Sequence, residues 1–453
     1  MKQFLENALK NADVDYIEIR IEETEASFVY YSGRELERIG TDLIYGGNIR
    51  ACHKGGWGFI SFNSLDKIQE KVDLCIRQSK LVKRDATQLA PVKKIVEKIK
   101  TNFDIDPRSI SLAEKKDLCQ KYNTMILKHP KIQSSTVVYR DLIKRKHYLN
   151  SADTCIDQEL VHTGIYVGAI AKDGTNMQRS SKSLANYHGY ENVVNYENNV
   201  EKVIKTAVDL LSAEKIDAGI YTVILDPQMT GLFAHEAFGH FSEADNLYEN
   251  EELKKKMILG KVFGNDSLTI IDDGTLKELN GFIAYDDEGV KSKKNYLIKE
   301  GKLVGRLHSR ETAAKMGETI SGNARAVSYH HAPIVRMTNT YIDNGKHDFQ
   351  EILASVDKGI YVKGNLAGMT DCEKFTFSSQ EAYWIEKGKI GKMLRDVILS
   401  GNVFTTLKNI EMIGNDLTFT GNLGGCGKKG QSPLPISKGG PHIKIKDVVI
   451  GGK

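Results

Sequence analysis

Two histidines flank a glutamate in Ala234-His235-Glu236-Ala237-Phe238-Gly239-His240, which places two metal-ligand side chains and a carboxylate base within six consecutive residues. The combination points to metal-assisted hydrolysis. In the zinc pattern H-E-x-x-H both imidazoles share one helix face and the glutamate is the base. Here the spacing is one residue longer, and five steps of roughly 100° along an ideal α-helix put the second imidazole about 140° from the first. Convergence therefore requires a helix that widens locally, as in a π-turn, or one that ends inside the motif, for which Gly239 offers the break. A core helix with one satisfied histidine and a solvated glutamate is the competing reading. A third ligand decides between them.

That ligand is a carboxylate or a thiolate. Glu243 and Asp245 lie just past the motif, but with Glu249, Glu251 and Glu252 they form a charged run that reads as an exposed loop or helix face. The stronger candidate is remote: Asn422-Leu423-Gly424-Gly425-Cys426-Gly427-Lys428 sets one thiol among three glycines, where the backbone bends freely and approaches another element closely. Lys428 nearby favours the thiolate. Zinc takes thiolate and imidazole together, more readily than magnesium or calcium does, and a His, His, Cys set leaves a fourth position for water. His308 reads as a surface histidine ion-paired near Arg310 and Glu311. His330 and His331, adjacent on a strand, point to opposite faces and do not share one metal.

The elements around the motif place it at a strand-to-helix junction. Ile220–Leu225 reads as a strand, Asp226 as an N-cap and Pro227 as the first helical residue, with Met229, Leu232, Phe233 and Ala237 as apolar anchors. Upstream, a helix is predicted over about residues 2–12, and Tyr16–Glu22 alternates apolar and charged residues as a strand does. Further strands are predicted at Ala26–Tyr31, Leu36–Thr41, Asn48–His53 and Gly56–Phe62. The turns between them fall at Ser32-Gly33, Gly46-Gly47 and Gly55-Gly56, giving an antiparallel meander. Leu65–Leu81 is an amphipathic helix, Ala90–Ile99 a basic connector and Ser111–His129 a second long helix. Strands follow at Ser134–Leu149, Thr154–Val161 and Ile165–Lys172, then a helix at Glu197–Leu211.

With 453 residues the chain exceeds the size at which one core stops growing. The turn Asp217-Ala218-Gly219 divides it into an N-terminal α+β domain, residues 1–216, and a C-terminal domain, residues 217–453, that carries the motif. In the latter, glycine turns at Asp272–Gly274, Asp286–Gly289, Glu300-Gly301 and Asn344-Gly345 separate short strands, as in an antiparallel barrel or sandwich with a few helices. The fold class is α+β. Lys+Arg 63 against Asp+Glu 59, formally +4, is too even to imply direct binding to nucleic acid or to an anionic membrane. No apolar run of about 20 residues spans a membrane and the N-terminus lacks a signal-peptide core, so a cytoplasmic protein is expected. Cys52, Cys75, Cys119, Cys155, Cys372 and Cys426 are scattered, which argues against a disulfide framework and makes most of them small buried hydrophobes.

Through almost its whole length the chain resembles the TldD/PmbA family of metallopeptidases, and specifically its TldD branch. The segments that carry the resemblance are Gly47–Ala51 with Gly58-Phe59, Ala234–His240, Tyr285–Gly289, Pro333–Tyr341, Ser379–Tyr383, Ile413–Leu417 and Gly425–Gln431. The resemblance implies zinc held by His235, His240 and Cys426, with Glu236 as general base for hydrolysis of peptides or unfolded polypeptides. It also implies a site enclosed by dimerisation, with a second copy or with a paralogue that lacks the motif. Arg336–Tyr341 is placed as a wall of the substrate cleft. Two other functions compete: a non-catalytic protein in which zinc only fastens two segments, and a regulator associated with DNA gyrase, as family members have been described.

Overall fold

The computed structural model describes residues 2–10, 12–82, 88–371 and 373–451. After α1 (Lys2–Leu9), the alternating stretch forms strands longer than the periodicity predicts: β1 (Tyr16–Ser32), β2 (Glu35–His53) and β3 (Gly56–Phe62). They pair antiparallel, as the meander requires. Gly33 and Gly55 make turns with φ of +56° and +79°. Gly46-Gly47 does not; it lies inside β2. A Cβ on Gly46 would fall 2.3 Å from the Tyr329 ring, and one on Gly47 would fall 2.6 Å from the Arg20 carbonyl oxygen. Close approach, rather than a turn, is what these glycines allow.

Behind this meander, α2 (Ile68–Leu81) buries Ile68, Val72 and Cys75. The stretch expected to be a connector contributes β4 (Val96–Lys100), which runs parallel to the start of β6. Ser111 and Glu114 form a reciprocal capping box that starts α3 (Leu112–Leu127). The strands β5 (Ile132–Asn150) and β6 (Cys155–Asp173) are each continuous, β7 (Asn176–Asn186) was not anticipated from the sequence, and α4 (Glu197–Asp209) follows. The resulting sheet has the order β3-β2-β1-β5-β6-β4, with β7 on the same edge of β6 beyond β4.

The C-terminal region contains a closed barrel, as the sequence suggested. Strands Gly219–Leu225, Ile443–Gly451, Ile398–Asn402, Lys374–Glu386 and Lys358–Asp371 close on themselves, because the last pairs with both Lys374–Glu386 and Gly219–Leu225. A second, six-stranded sheet lies beside it and includes Ile270–Asp273, Asn339–Ile342 and Ser437–Gly440. Asp272 and Asp273 are therefore strand residues; Asp272 is fully buried and accepts hydrogen bonds from Thr338, Thr340 and Asn323.

Helix α5 (Pro227–Ala234) lies between barrel and sheet. Phe233 packs edge-on against Phe375 and Phe377 of the barrel, with ring centroids 5.7 and 6.4 Å away. On the other side a Cβ on Gly231 would fall 2.8 Å from the Gly439 amide nitrogen, so the helix backbone lies directly on the second sheet. The motif thus extends from a helix locked in the core.

Buried charges join the first sheet to the rest. Asp287 meets Arg20 of β1 at 3.1 Å and Lys146 of β5 at 2.9 Å, and Glu288 meets Arg50 of β2 at 3.1 Å. Cys52, Cys75, Cys119 and Cys155 are buried free thiols, whereas Cys372 lies outside the described residues, as does Asn11 of the helix predicted over residues 2–12. Among the described residues no helix is long and apolar enough to cross a membrane.

Candidate metal centre

The junction forms as its local sequence dictates. Asp226 caps α5 by accepting a hydrogen bond from the Met229 amide at 2.8 Å, and Pro227 occupies the first turn. His235–Gly239 then makes one π-turn before the chain tightens over His240–Ser242. At the wider pitch, residues five apart come into register, and the His235 and His240 rings lie 5.0 Å apart. Of the two routes to convergence, the helix takes the wider turn. Gly239 keeps a right-handed helical conformation, with φ −55° and ψ −53°. Its role is spatial: a Cβ there would fall 2.0 Å from Met337 Sδ.

Cys426 begins a short strand paired with Gln431–Leu434, opposite Leu434. Its Sγ lies 3.5 Å from His240 Nε2. One ligand atom from each of His235, His240 and Cys426 lies within 4.8 Å of the other two. The fully buried Arg336 holds this hairpin in place, donating to the carbonyls of Cys426 at 2.6 Å and Gln431 at 3.1 Å.

The donor set fits a borderline-soft divalent cation such as zinc. Burial keeps the His235 imidazole neutral, its pKa well below the usual histidine value, with further depression from His240. Its Nδ1 is buried without a hydrogen-bond partner among the described residues. His240 is oriented by a carboxylate, its Nδ1 donating to Glu243 at 3.0 Å, which leaves Nε2 facing Cys426. Burial opposes protonation of His240, yet Glu243 and Cys426 together raise its pKa well above the usual histidine value.

Glu243 itself corrects the sequence reading of an exposed acidic run. It is fully buried, receives Lys428 Nζ at 3.1 Å, and accepts from the Met337 amide at 3.3 Å. Burial raises its pKa, but Lys428 and His240 outweigh that and hold it below the usual glutamate value. The i, i+3 spacing of His240 and Glu243 was the available signal for this contact. Lys428 is directed to Glu243 and to Asp245, at 2.6 Å, rather than to the thiol it was expected to assist.

The three convergent residues and Glu236 line an open cleft of about 490 Å³, together with Gly368, Met369, Thr370, Asn422 and Lys438. Burial raises the pKa of Glu236, against the opposing influence of His240 and Lys438. Arg336–Tyr341 is not a wall of this cleft; the segment is buried behind the site. His308 is ion-paired but not on the surface. It is 1% exposed and its Nε2 contacts Glu318 at 3.1 Å. His330 and His331 lie in a turn away from the cleft rather than on a strand.

Comparison with known proteins shows the family and the fold. The family models that match are those of the PmbA/TldA metallopeptidases: domain 1 over residues 17–82, the central domain over 105–213 and the C-terminal domain over 218–452. A metalloprotease of Synechocystis sp. is 41% identical over 443 residues, covering 97% of this chain and 96% of that protein. A zinc metalloprotease TldD homolog of Saccharolobus solfataricus is 31% identical, covering 96% of each. Solved structures share the fold at lower identity. A Thermotoga maritima protein described as a candidate modulator of a DNA gyrase has a TM-score of 0.81 at 21% identity, covering 99% of both chains. TldE of Thermococcus kodakarensis has a TM-score of 0.76 at 18% identity, covering 99% of this chain and 100% of its own. Matched along nearly its whole length, the chain belongs to the TldD/PmbA metallopeptidase family.

Proposed function

We propose that the protein is a zinc-dependent peptidase in which His235, His240 and Cys426 hold the metal and Glu236 is the general base. The observation that carries this reading is the convergence of three ligand atoms beside a half-buried glutamate in an open cleft. Zinc bound there supplies Lewis acidity, which acidifies water and polarises a peptide carbonyl. Glu236, its pKa raised by burial, accepts a proton from water and returns it to the departing amine. Glu243 fixes the imidazole of His240 and its tautomer. A purely structural metal would leave unexplained why a carboxylate and an open cleft adjoin the three donors.

The barrel supports a peptide as substrate. Strand Lys358–Asp371 pairs with Gly219–Leu225 only over Ile360–Val362, while its pairing with Lys374–Glu386 continues to Asp371. Beyond Gly364, whose amide donates to Asp226, no strand among the described residues pairs with this edge, and Gly368–Thr370 on it line the cleft. An extended peptide added to that edge would be held through its backbone, with weak side-chain specificity. Assembly with a second copy or with a motif-lacking paralogue is part of the same reading and is checked by light scattering of the purified chain.

The decisive pair of variants is Glu236→Gln and Cys426→Ser. Glu236→Gln should abolish cleavage of an unstructured peptide library, a loss of at least about 10²-fold, while zinc stoichiometry stays at one. Cys426→Ser should lower zinc occupancy. Wild-type cleavage by zinc-loaded Glu236→Gln, or full zinc in Cys426→Ser, overturns the respective assignment.

A further inference from the structure

A second cavity, of about 260 Å³, lies between the first sheet and the hairpin that carries Cys426. Its wall is cationic: Arg140, Lys144, Lys146 and Arg325 line it, with Asp286 and Asp287. The charges do not cancel. Lys146 is paired with Asp287, which also serves Arg20, and Lys144 is paired with Glu22 at 3.5 Å. Asp286 accepts from the backbone amides of Glu288, Val290 and Ala324, and burial together with Glu288 raises its pKa well above the usual aspartate value. Arg140 and Arg325 form no ion pair with any carboxylate among the described residues. They donate instead to carbonyls, Arg140 to Leu423 at 3.3 Å, and Arg325 to Met337 and Pro435 at 2.5 and 2.8 Å. Arg140 Nε is buried without a partner. The other basic group on the wall, His162, has its pKa lowered by burial to about 4 and is neutral at physiological pH. Two guanidinium groups that no carboxylate ion-pairs therefore line a small cavity where burial disfavours their charge, an arrangement that a bound anion would relieve.

We infer that this cavity is a binding site for a small oxyanion, phosphate or carboxylate, held between Arg140 and Arg325. Guanidinium forks match the paired oxygens of such groups. The cavity lies below the roughly 300–1,000 Å³ of sites for larger ligands, which favours an inorganic ion or a small acid. The site is distinct from the metal cleft, whose lining shares no residue with it. It is nevertheless mechanically close. Leu423 and Pro435, the carbonyls that the two arginines hold, flank the hairpin of Cys426 on either side. An anion that draws the guanidinium groups together shares them with these carbonyls, and so bears on where the thiol sits.

Calorimetric titration of the zinc-loaded full chain with inorganic phosphate, and separately with acetate, tests the inference. One saturable site is expected for one of the two, and the anion that binds identifies the ligand as phosphate or carboxylate. Arg140→Gln should weaken that binding at least about 10-fold, since a charged hydrogen-bonding partner is worth roughly 1.5–3 kcal/mol. Val327→Glu, which adds a carboxylate at the cavity wall, should abolish it without removing either arginine. If neither anion binds saturably, or if both variants bind as the wild type does, the site is not there. Binding that survives both variants belongs to the metal, which keeps this test separate from that of the peptidase reading.

Discussion

At the scale of single residues, the candidate centre depends on groups that position as much as on groups that react. Glu243 contributes no ligand atom to the convergent set, yet it sets the tautomer of His240 and is itself held by Lys428 and the Met337 amide. Such carboxylate–histidine contacts are typically worth 10–100-fold in metal affinity. Glu243→Gln should therefore weaken zinc binding by about that factor, measured by competition with a chromophoric chelator, while Glu236→Gln leaves it unchanged. Equal zinc affinity in wild type and Glu243→Gln would remove Glu243 from its proposed positioning role. Its burial was not legible from the sequence, because acidic neighbours at 249, 251 and 252 made the whole run read as solvent-facing.

At the scale of the element, one π-turn converts an unfavourable spacing into a workable one. The turn survives because α5 is pinned on both sides, by Phe375 and Phe377 of the barrel and by the backbone of Gly439. Met337 closes against Gly239 so tightly that a methyl group has no room. Gly239→Ala should destabilise the protein by about 1–3 kcal/mol through overpacking and displace His240. It should lower both Tm and zinc occupancy, and adding Met337→Ala should recover part of each. Failure of the double variant to recover either would mean that Gly239 matters for its backbone and not for the space it leaves. The motif spacing itself predicted that the helix must deform or end. Only the packing around it shows which, since Gly239 satisfies both routes on paper.

At the scale of the whole molecule, the first sheet is joined to the remainder through buried ion pairs centred on the turn Tyr285–Gly289. Burial raises the pKa of Asp287, but Arg20 and Lys146 outweigh it and hold the carboxyl well below the usual carboxylate range. A depressed folded-state pKa gives stability that is present above the unfolded value of about 4 and is lost as pH falls through the folded value. Asp287→Asn should thus cost about 3–5 kcal/mol at neutral pH, because it takes the carboxylate from half-buried Lys146 and leaves buried Arg20 with Glu22 alone. The Tm gap between wild type and variant should hold from pH 7 to about 4 and narrow as pH is lowered from there towards 3. A gap that stays constant over that range would show that the charge of Asp287 does not stabilise the folded state.

What the sequence determined by itself is local. The Asp226-Pro227 start of the helix, the antiparallel meander, the barrel-like second half and the candidate donors His235 and His240 follow from short-range pattern and side-chain chemistry, whereas Cys426 was one of two candidate donor types until the family resemblance singled it out. Strand lengths were underestimated because glycines such as Gly46 and Gly47 look like turns when the Tyr329 ring that requires them is nearly three hundred residues away. Tertiary packing likewise buried Glu243 against Lys428, removed Arg336–Tyr341 from the cleft wall, and put His308 in the interior. Convergence of the three donors belongs to the tertiary structure alone. A π-turn clamped between barrel and sheet brings the two imidazoles together, and a buried arginine holds the hairpin that delivers the thiol.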